Sequence, residues 1–220
     1  MAEQMTMPTA GLEQRLRMTY EEFLAQIGED THAEWVNGEV IIFMPPTILH
    51  QQLAGFLYML IKGFSNLFGL GEVLIAPCEM RAVPDGPARE PDLLFVARAH
   101  ADRVSDRRVS GTADLVIEIV SETSVYRDRV DKFEEYQDIG VPEYWLVDAR
   151  PGRERTDFYQ LGADGKYVPV PPDAGGRYSS AMLPSFWFRP AWLWRNPLPD
   201  PLRLLRTIAP EAMRELVAEE

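Results

Sequence analysis

The sequence predicts an α/β domain: a central mixed sheet flanked by helices, with hairpins at its periphery. Three observations predict it. Two short runs, EPDLLFV (Glu90 to Val96) and DLVIEIVS (Asp114 to Ser121), are apolar at nearly every position, as strands covered on both faces are. A long stretch from about Ile48 to Phe68 repeats its apolar residues at helical spacing, at Leu53, Phe56, Leu57, Leu60, Ile61 and Phe64. The core elements then run helix, strand, strand, strand, helix, strand, an order that builds a sheet with helices packed on it.

Taken in order, residues 1–17 read as a loose lead-in. Thr19 opens a short helix, with Glu22 at the capping-box spacing. AEWV and EVIIF flank Asn37-Gly38, a strong hairpin signal, and Pro45-Pro46 ends the hairpin. The long helix follows and stops at Gly69 and Gly71. Strands are expected at Glu72 to Ala76, Glu79 to Val83 and Leu93 to Val96, then a short helix within Arg98 to Gly111. The strand Leu115 to Val120, a helix from about Ser124 to Asp138 and the strand Glu143 to Asp148 complete the core. A second hairpin brackets Ala163-Asp164-Gly165, and the tail, 191–220, carries Trp192, Trp194 and a helix opening near Pro210.

Composition narrows the function. A net charge of -12 argues against nonspecific coating of nucleic acid, which rests on Lys and Arg neutralising phosphates. It leaves room for a nuclease with a local basic rim. Cys78 is the single cysteine, so no internal disulfide and no Cys/His metal cluster can form, and a reducing, cytoplasmic setting is expected. No signal peptide is expected, and the longest apolar stretch, Leu53 to Leu60, is too short to span a bilayer.

Each strand-like run carries an acid for which the apolar pattern has no use: Asp92 after Pro91, and Glu118 amid Leu115, Val116, Ile117, Ile119 and Val120. An acid in such a strand is costly to desolvate unless a cation or several donors meet it. Two acids on neighbouring strands can hold one hard divalent cation. On the next helix Tyr126, Val130 and Phe133 make an apolar stripe, and Asp128, Lys132 and Tyr136 form a second row on its flank. Lysine is rare here, at positions 62, 132 and 166, and Lys132 is placed to bring its ammonium to the sheet edge. Phosphodiester hydrolysis uses these groups: carboxylates for a cation, and a lysine to orient water or offset charge on phosphate. Plainer readings compete. Asp92 also reads as a turn cap, Glu118 as a buried partner of an arginine, and Lys132 as an exposed partner of Asp128 worth about 0.3–0.5 kcal/mol. His50 also reads as a surface residue of a first helical turn, and Glu34 and Glu39 as hairpin residues.

EPDLLFV, DLVIEIVS and SETSVYRDRVDKFEEYQDIGVPEYWLVD (Ser121 to Asp148) closely resemble the Uma-two family of restriction endonucleases, within the PD-(D/E)XK nuclease superfamily. The resemblance covers roughly 18–190 and takes in MTYEEFL, the EWVNGE hairpin and His50. It implies a restriction-endonuclease-like domain over 18–190 that uses Mg²⁺, with Mn²⁺ as a substitute, to cut DNA. Asp92 and Glu118 become the metal-binding acids, and His50, Asp128 and Tyr136 possible accessory residues. The lysine usual two residues past the second acid is absent, since Val120 stands there; Lys132 resembles its displaced replacement. Glu122 stands where the family commonly has proline. The alternative is a catalytically silent module of the same fold, retained for binding or assembly. Lys132→Ala is expected to abolish cleavage and leave the fold nearly intact. A homodimer is expected too, because a duplex has two strands to cut and because Phe186, Trp187, Phe188, Trp192 and Trp194 look like an apolar surface outside the core pattern.

Overall fold

The first strand, β1 (Gln14–Arg17), lies inside the segment read as a loose lead-in. The structure is a computed structural model that describes residues 13–28 and 31–218, so the rest of the lead-in falls outside the described residues. In α1 (Tyr20–Gln26) the Thr19 and Glu22 side chains each accept from the other's backbone amide, completing the capping box. β2 (Ala33–Val36) and β3 (Glu39–Ile42) form the expected hairpin, with β1 along β3, to give a small antiparallel sheet. Its turn residues Asn37 and Gly38 both adopt positive φ, 50° and 84°, which a two-residue hairpin turn requires.

α2 (Ile48–Phe68) starts at its N-cap Thr47 and stops at Gly69, whose left-handed φ of 59° ends the helix. All six residues of its predicted stripe are buried. β4 (Gly71–Ile75), β5 (Glu79–Arg81) and β6 (Leu93–Ala97) follow. Residues 98–111 hold a short 3-10 helix, Arg98–Arg103, and an unanticipated strand, β7 (Arg108–Ser110), which pairs parallel with β5. β8 (Leu115–Val120) and β9 (Glu143–Asp148) are parallel neighbours, and the chain between them carries α3 (Lys132–Asp138), the crossover that parallel strands need. β10 (Arg155–Leu161) and β11 (Tyr167–Pro169) extend the sheet antiparallel, to the order β11-β10-β9-β8-β6-β4.

The sheet is covered on both faces. Leu93, Phe95, Leu115, Ile117, Ile119, Trp145 and Val147 pack toward α2. Their alternates Leu94, Val96, Val116, Val120, Tyr144 and Leu146 pack toward Tyr136 of α3. The tail closes the α2 face. It comprises β12 (Tyr178–Ser179), β13 (Trp187–Phe188), α4 (Pro201–Ile208) and α5 (Pro210–Ala218). Phe186, Phe188 and Trp192 are buried in that core, and Trp187 and Trp194 pack against it. Phe186, Phe188 and Trp192 are therefore core and not the apolar surface expected of them, and Trp187 and Trp194 are half-buried beside it. Among the described residues no helix is long and apolar enough to cross a membrane.

Candidate active site

Strand geometry alone brings the two acids together. Side chains alternate across a sheet, so Glu118 shares the α3 face with Val116 and Val120, and Asp92 shares it with Leu94 and Val96. β6 and β8 pair antiparallel with Leu93 opposite Ile117, and one further step of that register sets Asp92 opposite Glu118. Both are buried, at 8% and 3% exposure.

The helix above them differs from its expected form. Residues Arg127–Asp131 make a π-turn in which the Lys132 amide bonds back to Arg127 O. A straight α-helix drifts ahead of a strict four-residue spacing, and a wider turn takes the drift back. The buried row is accordingly Ser124, Asp128, Lys132 and Tyr136, while Tyr126 of the expected apolar stripe is 68% exposed. The polar row faces the sheet beside the two acids, and of the apolar stripe Phe133 packs on Tyr144, Tyr159 and Tyr167 of the neighbouring strands. Lys132 is thus no surface partner of Asp128. Its Nζ donates to Glu118 Oε1 at 2.7 Å and lies 2.8 Å from Glu34 Oε1. Tyr136 Oη also donates to Glu118 Oε1, at 2.9 Å. Asp128 instead faces Arg127, Nε to Oδ1 at 3.6 Å.

Asp92 has two donors on Oδ2, the Ile119 amide at 2.6 Å and His50 Nε2 at 3.2 Å. His50 therefore stands beside Asp92, carried there by the first turn of α2. Glu122, by contrast, is exposed and turned toward Arg150.

Sequence reasoning missed Glu34. It is fully buried, and Arg89 Nη1 donates to its Oε2 at 2.8 Å. Its signal was weak: an inward-facing acid between Ala33 and Trp35 in a short hairpin strand. Glu90 and His32 were missed as well; Glu90 Oε2 lies 3.4 Å from His32 Nε2. Glu39 behaves as expected, pairing with Arg15 and Arg17 on the hairpin surface.

The charges are unevenly compensated. Burial opposes ionisation of Glu34, but Lys132, Arg89 and Arg127 outweigh it and hold its carboxyl at about 2. Burial raises Glu118 too, and here it prevails; Lys132 opposes, but Asp92, Asp128 and Glu34 add to the rise, to about 8. One ammonium cannot serve both acids equally, and Glu34 has the arginines too. Burial likewise raises the Asp128 carboxyl above its ordinary value. The Asp92 carboxyl is lowered from its ordinary value, since His50 and the Ile119 amide overcome the cost of burial. Burial works against the Lys132 charge, yet Glu118, Glu34 and Asp128 keep it firmly protonated.

Asp92 and Glu118 are the carboxyl groups of this site that could serve a hard divalent cation. Among the described residues no three His, Cys, Asp or Glu side chains converge to cage a metal, as zinc or calcium would ask. Mg²⁺ binds through one or two carboxylates and keeps several waters. The adjacent carboxyl groups of Asp92 and Glu118 are compatible with such binding, with a proton on Glu118 to be displaced.

A family model, Uma2, described as "Putative restriction endonuclease", matches residues 20–191. A solved structure, described as "a putative nuclease belonging to DUF820" from Anabaena variabilis ATCC 29413, superposes with a TM-score of 0.64. It is 16% identical over 80% of this chain and 97% of its own, a likeness of fold. A comparison with curated proteins gave no match. With its fold that of a nuclease-like α/β domain and most of its length matched, the chain belongs to the Uma2 family of restriction-endonuclease-like proteins.

Proposed function

We propose that this protein is a divalent-metal-dependent endonuclease that hydrolyses phosphodiester bonds of DNA. The observation that carries the reading is the meeting of Asp92, Glu118 and Lys132 on one face of the sheet, with Lys132 Nζ 2.7 Å from Glu118 Oε1. Asp92 and Glu118 are the residues that would hold Mg²⁺, or Mn²⁺ in its place. When bound, such a cation polarises the phosphoryl group and yields hydroxide from water at neutral pH.

The protein's own groups divide the remaining work. Tyr136 and Lys132 fix Glu118 through Oε1, which would orient its carboxyl group for a cation. His50 and the Ile119 amide fix Asp92 through Oδ2 in the same way. The Lys132 ammonium, protonated and buried, orients the attacking water or offsets the charge that builds on the phosphate.

A second reading, a silent module of the same fold, draws support from the two ion pairs that engage Lys132 and from the charge of -12. Plasmid and single-stranded DNA incubated with Mg²⁺ or Mn²⁺ separate the two. The nuclease cuts at least one of them, and Asp92→Ala cuts neither. No cutting by wild type under either metal supports the silent module.

A further inference from the structure

We infer that Glu34 is a positioning residue for Lys132, holding the ammonium in place when Glu118 is committed to a cation. This rests on the nuclease reading above. Lys132 Nζ sits between two carboxylates, Glu34 Oε1 at 2.8 Å and Glu118 Oε1 at 2.7 Å. A cation on Glu118 weakens one of these attractions. An ammonium on a flexible four-carbon stem then needs another anchor to stay aimed.

Glu34 is built to be that anchor. It has no exposed surface. The Glu90 amide donates to its Oε1 at 3.2 Å, and Arg89 Nη1 donates to its Oε2 at 2.8 Å. The other arm of Arg89 grips Glu135, with Nε to Oε2 at 2.7 Å and Nη2 to Oε1 at 2.5 Å. Glu135 is on α3, three residues after Lys132. The contacts therefore close a loop, from Lys132 to Glu34, to Arg89, to Glu135 and back along one helical turn. It ties α3 to the small sheet at the position of the lysine. A lysine on a strand would be aimed by the strand; a lysine just past a π-turn is aimed by what it touches. The loop also gives the β1-β3-β2 sheet a task at the site although it supplies neither of the two sheet acids.

Two variants test this. Glu34→Gln keeps the shape and loses the charge, and Glu34→Asp keeps the charge but withdraws it by one methylene. Cleavage kcat should fall about 10²-fold in the first and about 10-fold in the second, while KM and Mn²⁺ affinity move by less than about twofold, since Glu34 touches neither substrate nor cation. A folded variant with wild-type kcat overturns the inference. So does an equal loss of Mn²⁺ affinity, which would make Glu34 a ligand. Should Glu34→Gln not fold, Glu34→Asp carries both outcomes. If wild type neither binds Mn²⁺ nor cuts DNA, it is the nuclease reading that fails. The positioning claim is then judged on a crystal structure of Glu118→Gln: Nζ still within hydrogen-bonding distance of Glu34 upholds it, and Nζ swung away overturns it.

Discussion

Lys132→Met should slow cleavage by orders of magnitude and also destabilise the fold. From the sequence, losing Lys132 looks harmless to folding, because a lysine at i, i+4 from an aspartate reads as a surface residue. In the structure it is 3% exposed and shared by Glu34 and Glu118. Removing one partner of a buried ion pair costs about 3–5 kcal/mol, because the remaining charge stays buried. Here Arg89 still serves Glu34, and Glu118 can take up a proton, so the lower end, about 3 kcal/mol, is expected. For a chain of this size that lowers Tm by about 6–12 °C. The cleavage rate should fall by about 10²–10³-fold, the usual cost of losing a preorganised charge at a reacting centre. Thermal melts and initial rates read both effects. A variant that melts and cuts like wild type would remove Lys132 from the core and from the site alike.

Glu143→Ala should be the most damaging single change to stability. Glu143 has no exposed surface and lies on the α2 face of β9. Its Oε1 accepts from Trp145 Nε1 at 2.6 Å and Tyr178 Oη at 2.7 Å. Its Oε2 accepts from Ser180 Oγ and the Ala181 and Met182 amides, each at 2.9 Å. This carboxylate pins the tail to the sheet at the point where Phe186 and Phe188 enter the core. Each donor left unsatisfied in the interior costs about 1–3 kcal/mol, and water admitted to the gap recovers part of the sum. A net loss of about 4 kcal/mol is expected, a large share of a typical domain stability of about 5–15 kcal/mol. Limited proteolysis should then cut first between β11 and α4. A Tm within about 2 °C of wild type would show that apolar packing alone holds the tail.

What the sequence made legible was local. Thr19 with Glu22, Asn37-Gly38, and Gly69 each dictate a cap or turn by their own chemistry, and each forms. β8 and β9 are bounded as their apolar runs predict. Alternation also places Asp92 and Glu118 on the face that Leu94 and Val116 share, so the pair was readable once the strands were known. What stayed hidden depends on distant partners. Glu34 looks like any hairpin glutamate until Arg89 and Lys132 close on it. The buried row of α3 breaks the rule that apolar periodicity marks the inner face, because its charges are paired inside and a π-turn resets its spacing. The tail tryptophans and phenylalanines state that they will be buried somewhere, and only the folded chain shows that they are buried against their own sheet.

Calorimetric titration of Mn²⁺ into wild type and Glu118→Ala tests most directly whether the two sheet acids hold a cation. Wild type should bind, and Glu118→Ala should not. The pH dependence follows from the Glu118 carboxyl, raised to about 8 by burial and neighbouring acids. Below that pH the cation must displace a proton, so affinity should climb by up to about tenfold per pH unit and level off above about 8. The same raised carboxyl contributes to stability below its unfolded value, and that contribution is lost as pH rises through about 8. Bound Mn²⁺ should therefore protect the fold most at alkaline pH. Binding by wild type that strengthens from pH 6 to pH 8, and is absent in Glu118→Ala, is the predicted result. Equal binding by the two proteins would contradict it.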